Sequence, residues 1–268
     1  MTASDKLFLV SSIYGIPVNI SNVEQAVTEV ETLINLHQHH HVVFFEGNLF
    51  KLSLFSEELR NIIANASLVY PDGISVASIA QSHIKRPVSR VSGPSFLLQA
   101  CEYGVKHQWR HFFLGGAEGV AEKMVRNLQE KYPKMQVAGY YSPPFREMTE
   151  EEEKDLKKMI EDSHPDLLWV GLGGPKQEFW IRKHLNKINV PVMLGVGAAF
   201  DFHSGNRPWA PPFIRKIGAE WIYRNITGGK NIIKRTREGC LIVLYHVLKN
   251  KIESLFHKAE PCTKRAPY

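Results

Sequence analysis

The stretch Asp166-Leu-Leu-Trp-Val-Gly-Leu-Gly-Gly-Pro-Lys-Gln-Glu-Phe-Trp180 constrains the fold more than any other part of this chain. Leu167 to Val170 is a short apolar run with no polar interruption, the pattern of a parallel strand buried on both faces. Gly171, Gly173 and Gly174 break it. Pro175 then stands at or near the first turn of a helix, where its missing N–H is no loss. Strand, glycine turn and helix N-terminus together can hold an anion, because unpaired N–H groups and the helix dipole face it. Lys176 and Gln177 follow within reach of a phosphate, a sugar or a base. The same pattern serves equally as a tight strand-to-helix connection, and other segments must decide between the two.

The unit recurs. His111 to Leu114 reads as a strand, Gly115-Gly-Ala-Glu-Gly119 as a glycine turn and Val120 to Tyr132 as a helix. This second turn lacks the full GxGxxG, and no acidic residue follows at the spacing of a dinucleotide site. Further short apolar runs lie at Leu7 to Val18 (a strand or hairpin), His41 to Phe45, Ala66 to Tyr70, Val137 to Tyr141 and Val190 to Leu194. Segments of helical spacing separate them, through Ala26 to Ile34, Leu52 to Ile62 and Leu97-Leu98. Strands alternating with helices predict an α/β fold built on a doubly wound, mostly parallel, Rossmann-like sheet.

In such sheets ligands sit at the carboxyl ends of the strands, which is where Asp72 of Pro71-Asp-Gly73 falls. Pro-Asp-Gly is also ordinary turn chemistry, and spacing alone slightly favours the turn. His37, His39, His40 and His41 cluster without an acidic or cysteine partner, so an exposed loop is expected rather than a metal site. Asp201 and His203 lack a third ligand and read as a hydrogen-bonded loop pair. Neither a metal nor a cofactor is expected.

The composition changes after Gly205. Arg207, Arg215, Lys216, Arg224, Lys230, Lys234, Arg235 and Arg237 face only Glu220 and Glu238, and Trp209, Phe213, Ile217, Trp221, Ile222 and Ile226 are interleaved with them. This segment carries much of the formal charge of +6. Helices basic on one side and apolar on the other lie on anionic bilayers. The alternatives are an ordinary helical layer on the sheet, or a nucleic-acid face, for which no binding motif is present. The expected organisation is an α/β catalytic domain over 1–205, a basic amphipathic appendage over 206–256 and a flexible tail over 257–268. Three widely spaced cysteines without a CxxC pair fit a reducing compartment. The N-terminus has no signal-peptide pattern, and no apolar run approaches the ~18 residues of a membrane span. A cytoplasmic protein, peripheral on the inner face of the plasma membrane, is the expectation.

Taken together, Tyr70-Pro-Asp-Gly73, Arg90-Val-Ser-Gly93, Phe113-Leu-Gly-Gly116, Val170-Gly-Leu-Gly-Gly-Pro-Lys-Gln-Glu178, Gly195-Val-Gly-Ala-Ala-Phe-Asp-Phe202 and Gly218-Ala-Glu-Trp-Ile-Tyr-Arg224 resemble the WecG/TagA/CpsF family of bacterial glycosyltransferases. The likeness runs from about Gly15 to about Arg235, and its motifs are specific in combination and order. It implies a GT-E-like catalytic domain and an inverting, metal-independent transfer. The donor would be a UDP-sugar and the acceptor a sugar on a polyprenyl diphosphate, in cell-surface polysaccharide synthesis. UDP-N-acetylmannosamine, its uronic acid and UDP-glucose are the donors the family suggests.

By the same resemblance Asp72 matches the family's catalytic base, Arg90 and Gln177 its donor-site residues, and Asn48 the Asn of its Thr-x-Asn element. Arg224 matches an arginine of the appendage, which in the family closes over the site at the membrane. Glu46 departs from the pattern, standing where the family has Thr. It is a second candidate catalytic carboxylate, one that would strengthen Asp72 as a base if the two stand close. Gly115, Gly116, Gly171 and Gly173, with Lys176, Glu178 and Arg90, are candidates to receive the diphosphate and sugar. The rival reading is a non-catalytic, membrane-associated nucleotide-binding adaptor. The oligomeric state, a homo-oligomer included, is left open.

Overall fold

The computed structural model describes residues 8–84, 86–227, 233, 238–239, 241–242, 244–246, 248–249 and 263–265. In chain order, β1 (Phe8–Ile13) and β2 (Ile16–Asn19) form a hairpin, followed by α1 (Val23–Asn35), β3 (His40–Phe45), α2 (Gly47–Phe55), α3 (Glu57–Ala64), β4 (Leu68–Pro71) and α4 (Ile74–Ile84). Next come α5 (Gly93–His107), β5 (Arg110–Gly115), α6 (Val120–Lys131), β6 (Gln136–Tyr141), α7 (Glu150–Asp162), β7 (Leu167–Gly171), α8 (Lys176–His184), β8 (Val192–Gly195) and α9 (Ala199–His203). The chain continues through α10 (Pro212–Lys216), α11 (Glu220–Thr227) and β9 (Thr263–Arg265). Six strands form one sheet in the order β4-β3-β8-β7-β5-β6, and β2-β1-β9 form a second, antiparallel sheet. The β3–β8, β8–β7, β7–β5 and β5–β6 pairs are all parallel. The α/β, Rossmann-like expectation is thereby met.

The chain divides into two compact units. One comprises Val23–Val43 and Gly93–Pro208. There the period-two alternation of β5 and β7 sends neighbouring side chains to opposite faces of the sheet. Phe112, Leu114, Leu168 and Val170 join Leu156, Ile160 and Ile181 in one buried cluster. His111, Phe113 and Trp169 stack with one another instead, and Phe96 of α5 and Phe200 of α9 meet that stack. Trp169 Nε1 donates to His111 Nδ1 at 3.1 Å, so the indole N–H of this layer is satisfied internally.

The histidine cluster does not behave as an exposed loop throughout. His37 takes the turn at φ +53° and is exposed, whereas His40 and His41 are buried in the first residues of β3. The His40 N–H donates to the Pro191 carbonyl at 2.8 Å, because the parallel ladder with β8 begins here. Pairing with a central strand takes the first histidines of the apolar run into the sheet, despite their polarity.

The other unit comprises Met1–Asn22, Phe44–Ser92 and Trp209–Pro267. Its β1–β2 hairpin turns at Tyr14 and Gly15, both at positive φ as a two-residue turn requires. The continuous helix expected through Leu52 to Ile62 is two helices. Ser56 closes α2 and opens α3, its Oγ accepting from the Leu59 N–H at 3.2 Å. Two described residues of the 206–256 segment pack on this unit: Lys51 of α2 pairs with Glu238 at 2.8 Å, and His246 meets the Phe50 ring edge-on. Within the expected tail, Thr263–Arg265 pair with Val10 to Phe8 as an added strand. Among the described residues no helix is long and apolar enough to cross a membrane.

Candidate active site

The carboxyl ends of the parallel strands carry the residues singled out above. In the first unit described, the ends of β5 and β7 approach so closely that a methyl group on Gly115 would stand 2.6 Å from the Gly171 carbonyl carbon. A methyl on Gly171 would fall 2.3 Å from the Phe200 ring. Only glycine allows this approach, and the Gly116 N–H uses it to donate to the Gly171 carbonyl at 3.2 Å. Gly173 follows at φ +78° with open space beside its Cα. Lys176 opens α8 with an exposed side chain, and no side chain caps that helix. The turn therefore offers backbone N–H groups, a helix N-terminus and one exposed amine to an incoming anion.

Gln177 and Glu178, expected to contact substrate, are buried. The Gln177 Oε1 accepts from the Gly197 N–H at 2.9 Å and its Nε2 donates to Glu178 Oε1 at 2.9 Å. Gln177 thus braces the turn after β8 against the start of α8. Asp201 and His203, expected as a hydrogen-bonded loop pair, lie instead in the short helix α9 and bond to different partners. Asp201 accepts from Asn206 Nδ2 at 3.0 Å and pairs with Arg207 at 3.2 Å, while the His203 Nε2 bonds the Pro94 carbonyl at 2.9 Å. No group of three or more His, Cys, Asp or Glu side chains among the described residues could hold a metal ion.

In the second unit the ends of β3 and β4 are tied together. The Asp72 N–H donates to the Phe45 carbonyl at 2.9 Å, and the Val91 N–H donates to the Pro71 carbonyl at 3.0 Å. One hydrogen bond between strand end and loop therefore brings Asp72 and Arg90 to adjacent backbone positions. Asp72 is half-buried at the start of α4. Turn chemistry and a strand-end carboxylate turn out to be the same geometry, since Gly73 takes φ +96° while Asp72 sits in place.

Glu46 has a defined structural role. Its Oε2 accepts from the Asn48 N–H at 2.9 Å and its Oε1 from the Leu49 N–H at 3.0 Å, so both oxygens cap α2. A threonine would cap with one oxygen; the glutamate engages two orphan donors with a favourable charge at the helix N-terminus. Asn48 is buried in the first turn of that helix.

Arg90 is held by two partners. Its Nη1 donates to Glu220 Oε2 and its Nη2 to the Arg215 carbonyl, at 2.8 and 2.7 Å. Arg215 itself lies over the Trp209 ring, 3.6 Å from the centroid. Burial lowers its pKa, with Glu220 opposing and Arg90 adding to the shift. Arg224 lies on α11, but its side chain falls outside the described residues. Sequence reasoning missed Glu220, Arg215 and Gly218. Gly218 and Glu220 both carried a signal in the Gly218-Ala-Glu-Trp-Ile-Tyr-Arg224 segment; Arg215 becomes visible only through what it touches.

The match to the glycosyl transferase WecG/TagA/CpsF family runs over residues 11–256. A Bacillus spizizenii protein named N-acetylglucosaminyldiphosphoundecaprenol N-acetyl-beta-D-mannosaminyltransferase is 31% identical over 166 residues, 62% of this chain and 63% of its own length. Proteins of the same name from Staphylococcus aureus strains MRSA252 and NCTC 8325 are 31% and 30% identical over 191 residues. Those matches cover 71% of this chain and 72% of each relative. The chain belongs to the WecG/TagA/CpsF family of glycosyltransferases.

Proposed function

We propose that this chain transfers N-acetylmannosamine, or a related hexose or hexosamine, from its UDP-sugar to a sugar on a polyprenyl diphosphate, with inversion at the anomeric carbon. The observation that supports the reading is the strand-end junction at which the Phe45–Asp72 and Pro71–Val91 hydrogen bonds bring the backbones of an aspartate and an arginine to neighbouring positions. Asp72 takes the proton from the attacking acceptor hydroxyl as UDP leaves from the opposite face. The departing diphosphate carries negative charge that must meet preorganised donors. In this reading Lys176, Arg90 and the N–H groups of the turn around Gly173 supply them, while Gly115, Gly116 and Gly171 permit the close strand approach that shapes that turn. Asn48 orients a sugar hydroxyl, while Glu46, Gln177 and Glu178 hold the shape of the helix starts. The relatives' names favour the N-acetylmannosamine donor and a diphosphoundecaprenol-linked N-acetylglucosamine acceptor. The proposed reaction uses no metal, so EDTA leaves the rate unchanged.

The acceptor is a lipid, and the segment after Pro208 suits its surface. Phe213 and Ile217 are each 67% exposed and Ile226 is 77% exposed, among arginines and lysines. Apolar side chains that enter the interface beside cations that attract anionic headgroups give reversible, peripheral binding.

The test is UDP release with a polyprenyl-diphosphate sugar acceptor, run on UDP-N-acetylmannosamine, its uronic acid and UDP-glucose. Asp72→Asn is expected to lower turnover by ~10²–10⁴ while leaving UDP affinity nearly unchanged. A fully active Asn variant removes Asp72 from the base role. UDP binding without acceptor-dependent UDP release from any of the three donors would favour a nucleotide-binding adaptor instead.

A further inference from the structure

Glu220 is the first residue of α11, where an acid is ordinarily a solvated, dipole-favoured surface group. Here it is only 9% exposed. It faces Arg90, and the two side chains retain 11% and 19% exposure respectively. The second partner of Arg90, the Arg215 carbonyl, also accepts from the Gly218 N–H at 3.0 Å, so it belongs to a closed turn and not to a free chain end. That turn is itself fixed. Gly218 sits at φ +71°, and a methyl group there would stand 2.0 Å from Ile74 Cδ1, at the first residue of the helix that follows Asp72. The Arg215 guanidinium makes no claim on the Glu220 hydrogen bond: it stacks on Trp209, and its buried Nε has no partner among the described residues.

We propose that Glu220 and the Arg215 carbonyl form a two-point clamp that orients the Arg90 guanidinium for an oxygen-rich anion, which makes Glu220 a positioning residue for the transfer. The inference rests on the reading of Arg90 as a contact to the UDP moiety. A guanidinium has five N–H donors in a rigid plane. The clamp engages one on Nη1 and one on Nη2, leaving three donors, including Nε–H, on a plane whose orientation is already set. A long side chain ordered before the ligand arrives loses less freedom on binding, and a planar fork recognises phosphate oxygens with directional bonds. The carboxylate also offsets the charge of Arg90 next to Arg215, so two guanidiniums can stand near each other before an anion enters. Because the clamp lies on the turn between α10 and α11, the presentation of Arg90 depends on that turn staying docked on Ile74.

The experiment combines a kinetic cycle with chemical labelling. Glu220→Ala should lower kcat/KM for the UDP-sugar about tenfold, mainly through KM, as expected for one misaligned charged contact. Glu220→Gln, which keeps an acceptor at the same place, should lose only about threefold. In an Arg90→Ala background, neither Glu220 substitution should change the donor KM further. Equal effects in both backgrounds would reduce Glu220 to a structural support and overturn the proposal. Phenylglyoxal modification of Arg90, followed by mass spectrometry, should be several-fold faster in Glu220→Ala than in the wild-type chain, with Glu220→Gln between them. Equal labelling rates overturn the clamp itself. If labelling follows the expected order but Arg90→Ala keeps a normal donor KM, the donor-contact reading fails and the positioning role goes with it, while the clamp stands. Circular dichroism melts identify any variant that fails to fold, and Glu220→Gln, the milder change, then supplies both readouts.

Discussion

Acidification provides a sharp test of how the core is built. Burial pushes His41 and His111 down to about 3 from the ordinary 6.5, and at His41 the charge of Arg182 adds to the effect. Both lie in the unit of Val23–Val43 and Gly93–Pro208. In the unfolded chain these rings bind protons below about 6.5, and in the folded chain only below about 3. Their contribution to stability is therefore fully present above the unfolded value and is lost as pH falls from about 6.5 towards 3. At pH 5 each ring costs about 2 kcal/mol relative to pH 7.5, from roughly 1.4 kcal/mol per pH unit over the 1.5 units below 6.5. Two rings then remove about 4 kcal/mol, a large share of the ~5–15 kcal/mol that holds a typical domain together.

The geometry explains why neither ring escapes. His111 Nδ1 accepts from the Trp169 indole, so a second proton there would set N–H against N–H. The Nε2 atoms of His41 and His111 have no hydrogen-bond partner among the described residues. Urea denaturation at pH 7.5 and pH 5.0 measures the loss. His111→Asn, which keeps an acceptor for the indole, should be less stable at pH 7.5 yet flatten the slope at pH 5 by about one proton, roughly 1.4 kcal/mol per pH unit. Stabilities within about 1 kcal/mol of each other at the two pH values, or an unchanged slope in His111→Asn, would refute the reasoning. The Glu152 carboxylate does not confuse this window. Its hydrogen bond to Arg146 and the Thr149 backbone hold it near 2, so its contribution is lost only below about 4.5.

Three further outcomes follow from the site. Glu46→Ala should lower stability by about 1 kcal/mol through the lost helix cap, whereas Glu46→Gln should keep most of the cap and an unchanged pH–rate profile; a shifted profile in Glu46→Gln would return Glu46 to the chemistry. Gly218→Ala should lower both the melting temperature and transfer activity, through a positive φ and a clash with Ile74 that together cost on the order of 2 kcal/mol, and a second change of Ile74→Ala should recover part of the loss. Phe213→Ser combined with Ile217→Ser should leave the fold intact but reduce sedimentation with phosphatidylglycerol vesicles, and raising salt should weaken binding of the unmodified chain.

Much of this architecture was legible in the sequence. The apolar runs at His41 to Phe45 and Leu167 to Val170 are short and bounded by turn signals, the pattern of buried strands, and the glycine breaks after them mark their carboxyl ends. Other features lay beyond local pattern. His40 and His41 look like loop residues by composition, yet the parallel ladder with β8 takes them inside. Gln177 looks like a ligand contact by position, and the fold adds amide hydrogen bonds to Gly197 and Glu178 that no local pattern announces.

What the chain determines by itself is the alternation of strands and helices, the glycine turns and the motif set, because these depend on period, backbone freedom and spacing over a few residues. What only the folded molecule decided is which groups meet. Glu220 and Arg90 stand 130 residues apart in sequence and 2.8 Å apart in space, and Thr263–Arg265 return to pair with the first strand. Such contacts depend on strand order and on burial of polar partners together, quantities that no short stretch of sequence contains.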